Sequence, residues 1–121
     1  MDLLFGLHKN VATAIVLYLT IVGLWGLWLG VRGSGPTPNY IGALVIAEIA
    51  AIVQGLFGVV LLFSRAPANN VHILYGFALA AAIPLAATMI RHRPPRAVSF
   101  AFGFIALFAA GLAIRGITTA G

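Results

Sequence analysis

The sequence predicts an all-α integral membrane protein, a four-helix antiparallel (up-down) bundle forming a single transmembrane domain over residues 1–121. Three observations carry that expectation. Hydrophobic residues make up 62% of the chain and charged residues only 7%, whereas about a quarter of a soluble domain is charged. Four apolar runs each approach the roughly 20 residues that a helix needs to cross a ~30 Å hydrocarbon core. Between them lie short segments rich in Gly, Pro, Asn and Arg, and a backbone in lipid must satisfy its own hydrogen bonds, which helices do. The expected helices cover about 8–31, 40–64, 70–91 and 96–116.

Met1 to Asn10 reads as a short amphipathic lead-in, and no formally charged residue occurs from Val11 to Val31. This is the first crossing. A cleaved signal peptide is the competing reading, but the run exceeds the usual apolar region of roughly 7–15 residues, and Trp25, Trp28 and Gly30 lead into Arg32 instead of a small-residue cleavage site. His8, Ala12, Ile15, Leu19, Gly23, Gly26 and Gly30 share one face. Gly26-x-x-x-Gly30 is a spacing that lets two backbones approach closely, so this face is expected to pack inward or against a second copy.

Arg32 to Asn39, RGSGPTPN, holds two glycines and two prolines and reads as a tight turn at headgroup level. The second crossing runs from about Tyr40 to Ser64 and is closed by Arg65-Ala66-Pro67. At about 100° per residue, with Ala51 as zero, Leu44, Ala47, Glu48, Gln54, Gly55 and Gly58 fall within ~60° of one line. Ile46, Ile49, Ile52, Val53, Leu56, Phe57, Val60 and Phe63 take the remaining surface. Glu48 and Gln54 are therefore expected to point into the bundle while the large aliphatics meet lipid.

Asn69 or Asn70 is a suitable N-cap for the third crossing, from about Val71 to Ile90. Its inner stripe is expected to be His72, Tyr75, Gly76, Leu79, Ile83, Ala86 and Ala87, with Pro84 interrupting the helix and freeing the Ala80 carbonyl. Arg91-His92-Arg93-Pro94-Pro95-Arg96 is a basic turn, and the fourth crossing runs from about Ala97 to Ile114 before Arg115. Phe100, Phe104 and Phe108 recur at i, i+4 and read as lipid or bundle packing. The C-terminal TTAG reads as a frayed end. His8 and His72 both open a first helix of a hairpin, a hint of repetition too weak in identity to carry weight.

Charge sets the partners and the orientation. The net charge of +5 comes from seven basic residues near the ends of apolar runs, which fits anionic headgroups and forms no basic stripe for nucleic acid. Arg32, Arg91, Arg93 and Arg96 face Lys9, Arg65 and Arg115 offset by Asp2, so the two hairpin turns are expected in the cytoplasm and both termini on the non-cytoplasmic side. The chain has no cysteine, which excludes thiolate chemistry, iron–sulfur clusters and Cys-ligated zinc from its own side chains.

Side chains able to do chemistry concentrate toward the side bearing the termini. His8 and His72, on helices that lie diagonally in an up-down bundle, could clamp haem iron, with Arg65 or Arg115 available for propionates and Tyr75 a turn deeper. Glu48 suggests proton or ion handling, because an ionisable group at membrane depth is costly, with Gln54, Thr13 or Thr20 as hydrogen-bonding partners. Joining His8, His72 and Glu48 around one metal would require the carboxylate to cover more than ~15 Å. Gly33-Ser34-Gly35 is a turn and not a phosphate cradle, and no Ser/His/Asp set, HExxH or carboxylate pair occurs, so no enzymatic activity is expected.

Through VHILYGFALAAAIPLA and AGLAIRG the whole chain resembles small bacterial four-helix membrane proteins, a likeness that brings no activity with it. His8 and His72 give a looser resemblance to four-helix membrane haem b modules, in which histidines near helix ends hold the porphyrin. The single membrane carboxylate is also similar to that of small multidrug-type exporters, which carry theirs on the first helix instead of the second. The combined expectation is a non-enzymatic accessory subunit of a membrane electron-transfer complex in the bacterial inner membrane. Protein partners or a homo-oligomer would complete it, with haem b or quinone near His72. A small proton-coupled transporter using Glu48, or a purely structural scaffold, is the alternative.

Overall fold

The computed structural model describes residues 2–64, 70–90 and 92–119, with the side chains of residues 2, 4, 5, 61–64, 70–72 and 119 outside that description. It contains four α-helices in order, α1 (Asp2–Val31), α2 (Pro38–Ser64), α3 (Asn70–Ile90) and α4 (Pro95–Thr119). All four are long and apolar enough to cross a membrane. The expected elements are present, with displaced ends. The segment read as a lead-in is already helical, making α1 a single 30-residue helix. α4 likewise continues through Thr118, whose hydroxyl donates to the Arg115 carbonyl, where a frayed end was expected.

The turns show why the helices stop where they do. α1 ends in a Schellman motif, with Gly33 at φ 77°, its N–H donating to the Gly30 carbonyl and Ser34 N–H to the Leu29 carbonyl. Only glycine takes that left-handed conformation without penalty. Thr37 caps α2, its Oγ1 accepting from Tyr40 N–H at 3.1 Å, and Pro38 occupies the first helical position where its missing donor costs nothing. Pro95 plays the same part in α4, where Val98 N–H donates to the Pro94 carbonyl. Two prolines read as breakers are thus starters.

The α1–α4 pair is the most extensive packing in the molecule, followed by α3–α4 and α1–α2. Among the described residues α2 and α3 approach each other over a short stretch only, and the backbones of α1 and α3, and of α2 and α4, stay apart. Contacts between Gly23 and Leu107, Gly26 and Gly103, and Gly30 and Phe100 run in opposite chain directions, so α1 and α4 are antiparallel. The two backbones meet closely. A Cβ built on Gly26 would fall onto the Tyr40 hydroxyl and 2.8 Å from Gly103 Cα, and one built on Gly103 would lie 2.7 Å from the Leu27 nitrogen. The Gly-rich face of α1 therefore serves the internal seam with α4.

The buried core follows from that approach. It consists of Ile15, Leu19, Val22 and Leu29 of α1, Tyr40, Leu44 and Ala47 of α2, Ile83 of α3, and Phe102, Ala106, Ala109, Ala110 and Ala113 of α4. The inner stripes of α1 and α2 hold, with two qualifications on α2: Gly55 is exposed, and Glu48 is half-buried at the stripe's edge. On α3, Ile83 and Ala86 are buried but Gly76 is exposed, so its stripe is narrower than expected. Pro84 is accommodated within a continuous α3. On α4 the Phe row faces outward, Phe104 and Phe108 being exposed, while Phe100 is half-buried against Gly30.

Candidate functional site

Four of the residues singled out in the sequence lie at two seams toward the end of the bundle bearing the chain termini, His8 and Gln54 between α1 and α2, Tyr75 and Arg115 between α3 and α4. At the α1–α2 seam the half-buried His8 packs its Cε1 toward Gly58, where a Cβ would lie 3.5 Å away, because glycine leaves room for the ring. The His8 carbonyl accepts a 2.7 Å hydrogen bond from Gln54 Nε2. Gln54 is therefore a tie from α2 to α1. Thr13 and Thr20 turn their hydroxyls back to the carbonyls of Lys9 and Val16 in their own helix, so neither serves Glu48.

Glu48 stands apart from this tie. Measured at about 100° per residue, Ala43, Ala47, Ala50, Gln54 and Gly58 lie along the α1-facing side of α2, and Glu48 sits about 100° around from Ala47. Its Oε1 is enclosed and has no hydrogen-bond partner among the described residues, and the same holds for Gln54 Oε1. An enclosed oxygen of this kind is costly in an apolar surrounding. It marks α2 as carrying a polar group that packing alone does not require.

At the α3–α4 seam Tyr75 lies beneath Arg115, the guanidinium carbon 5.8 Å from the ring centroid. The helices α3 and α4 thus bring together two residues expected at one site. His72 is placed by its backbone one turn before Tyr75 on α3, its side chain outside the described residues, and Arg65 lies outside them altogether. Among the described residues no three of His, Cys, Asp and Glu converge in a metal-binding group. Two shallow apolar grooves flank the bundle, one between α1 and α2 beside Tyr18 and Ala47, the other between α3 and α4 beside Ala82 and Phe108.

Sequence reasoning missed a polar framework at the opposite end. Tyr40 is fully buried, donates its hydroxyl to the Val22 carbonyl at 3.0 Å and meets the Trp25 ring edge-on at 5.0 Å. Tyr18 reaches across to the Ala43 carbonyl at 2.8 Å. Ser99, also fully buried, donates to the Ser34 carbonyl at 2.7 Å, and Arg96 Nε donates to the Gly30 carbonyl at 2.8 Å. A Tyr in the middle of an apolar helix was the available signal, since a buried phenol almost always has an acceptor.

No protein-family model, curated protein or solved structure matches this chain.

Proposed function

We propose that the chain is a multi-pass protein of a bacterial-type inner membrane, folded as an up-down bundle. In this reading it serves as a non-enzymatic accessory subunit of a membrane electron-transfer complex. The observation that carries the reading is α3. It is held mainly by α4, shares little surface with α2, and turns Leu74, Phe77, Leu85 and Met89 outward. A helix that is the least buried of the four within its own chain gains from a neighbouring subunit, since helix association in lipid rests on close packing and not on hydrophobic expulsion.

The same helix offers the place for a cofactor. Tyr75 and Arg115 meet at its first turns, and His72 lies one turn earlier in the same helix. Imidazole, phenol and guanidinium are the donor set that haem b or a quinone would use: an axial nitrogen, a hydrogen-bonding hydroxyl, and a cation for carboxylates or a semi-reduced oxygen. His8, seated against Gly58, belongs to the other seam, so support for the cofactor comes from the α3–α4 side alone. Copurification from native membrane in mild detergent, read together with an absorption spectrum, tests both parts. A stable larger assembly with a Soret band lost in His72→Ala is the expected result. A lone species without visible absorption refutes it.

A second reading is favoured by one observation, the enclosed and unpartnered Glu48 oxygen. In it Glu48 is the proton-coupling group of a small transporter, and proton-driven uptake into liposomes is abolished in Glu48→Gln. Flat uptake with the native chain removes this reading and leaves the subunit or scaffold role. In either case the termini are placed on the non-cytoplasmic side, with Arg32, Arg91, Arg93 and Arg96 in the cytoplasm.

A further inference from the structure

We propose that the end of the bundle formed by the α1–α2 and α3–α4 turns is a binding site for an anionic phospholipid. Arg32, Arg93 and Arg96 would hold the phosphate, and the acyl chains would lie on apolar strips descending α1 and α4. The inference rests on the membrane-spanning part of the reading above and is independent of any subunit or cofactor role.

The two turns are locked into one platform. Arg96 Nε donates to the Gly30 carbonyl, Ser99 Oγ donates to the Ser34 carbonyl, and Gly35 lies so close to Pro95 that a Cβ would meet its ring at 2.7 Å. The platform is cationic. Four of the chain's seven basic residues belong to these turns by sequence, Arg91 adjoining the three described ones. Neither of the chain's two acidic residues neutralises them: Asp2 opens α1 at its far end, and Glu48 lies ten residues into α2, roughly 15 Å along the helix.

The arginines are held but not spent. Arg32 stacks its guanidinium 4.6 Å from the centroid of Trp28, and Arg96 stacks 5.6 Å from Phe100 while bonding through Nε only. Their terminal nitrogens have no acceptor among the described residues, and Arg93 is exposed three residues before Arg96. A planar guanidinium fixed over a ring and presenting free N–H groups matches the oxygens of a phosphodiester.

What selects a lipid over a soluble anion is the surface below. Trp28, Leu24, Ile21 and Leu17 are all more than half exposed and recur at helical spacing, forming one strip under Arg32. Eleven residues at 1.5 Å each give about 16 Å, close to the depth of one leaflet of a ~30 Å core. Phe104 and Phe108 continue outward below Phe100 and Arg96 in the same manner. Each aromatic ring thus marks the level where headgroup gives way to hydrocarbon.

The test uses the full chain in neutral detergent, with binding read by native mass spectrometry and unfolding by circular dichroism. The probes are phosphatidylglycerol, phosphatidylcholine and inorganic phosphate. Phosphatidylglycerol is expected to bind more tightly than phosphatidylcholine and to raise the unfolding midpoint. Arg32→Gln combined with Arg93→Gln removes two charges that donate to no backbone carbonyl, so the fold stays intact and affinity falls roughly thirty-fold. Lys9→Gln, at the opposite end of α1, is expected to change nothing. Equal binding of the two lipids, equal protection by inorganic phosphate alone, or an unchanged affinity in the double variant would overturn the proposal. Failure of the membrane reading is separately visible: the chain would leave membranes on alkaline extraction and stay folded without detergent.

Discussion

The close backbone approach of α1 and α4 gives the sharpest prediction. Replacing Gly26 by Ala places a methyl group against the Tyr40 hydroxyl and within 2.8–2.9 Å of the Gly103 backbone, and backbone cannot rotate aside as a side chain can. The helices must separate or Tyr40 must withdraw its hydroxyl from the Val22 carbonyl. Overpacking of this kind costs about 1–3 kcal/mol, and an interhelical hydrogen bond in a membrane protein is worth about 0.6 kcal/mol on average. The better helix propensity of alanine returns about 1 kcal/mol. The net expectation is a loss of about 0.6–2.6 kcal/mol, measured by reversible unfolding in mixed micelles. Gly23→Ala should cost less, because its two nearest neighbours are side-chain atoms of Leu107, which can turn aside, and the backbone comes no nearer than the Gly103 carbonyl oxygen at 3.0 Å. Gly111→Ala, with nothing within 4 Å, should be neutral or stabilising. If Gly26→Ala is as stable as the native chain, or if Gly111→Ala is equally damaging, the close-packed seam is not what holds α1 to α4.

Other expectations follow from single contacts. Ser99→Ala should lose about 1 kcal/mol by stripping the Ser34 carbonyl of its buried donor, with the effect read in the same unfolding assay. Tyr40→Phe, which keeps the edge-on contact with Trp25, should cost about 0.6 kcal/mol, clearly less than Tyr40→Ala. Gln54→Leu should be nearly neutral, since it removes one tie to the His8 carbonyl together with an enclosed unpaired oxygen; a loss above about 2 kcal/mol would mean that the tie organises the seam. Because the chain has no cysteine, Arg93→Cys and Asn10→Cys can each be labelled with an impermeant maleimide in oriented vesicles. Labelling of Arg93→Cys only from the cytoplasmic side is expected, and the reverse pattern would invert the orientation.

The number of helices and the inward faces of α1 and α2 were legible because small residues recur at 3.6 periodicity, as in Gly23, Gly26 and Gly30. The α4 face was not. Ala106, Ala109, Ala110 and Ala113 stand among equally apolar neighbours, so periodicity of size was the only signal, and the larger Phe row drew attention to the outward side. Helix ends at Pro38 and Pro95 were misplaced for a local reason: proline blocks a helix interior but suits its first residue, and the deciding feature is the capping residue before it. The tie from Gln54 to His8 depends on register between two helices, which no single segment of sequence encodes.

These observations give the bundle two unlike ends. Near the turns, Tyr40, Ser99, Arg96 and the Gly23–Gly30 face fasten α1, α2 and α4 with several hydrogen bonds and direct backbone contact. Toward the termini, Gln54 donates to the His8 carbonyl between α2 and α1, and Tyr75 lies beneath Arg115 between α3 and α4. Among the described residues α3 is the least buried of the four helices, and its Pro84 interrupts the hydrogen-bond ladder in the middle. Glu48, Tyr75 and the backbone position of His72 all lie on α2 and α3, the least extensively packed of the neighbouring helix pairs among the described residues. Rigidity alone gives no reason to enclose there a carboxyl oxygen that has no partner among the described residues.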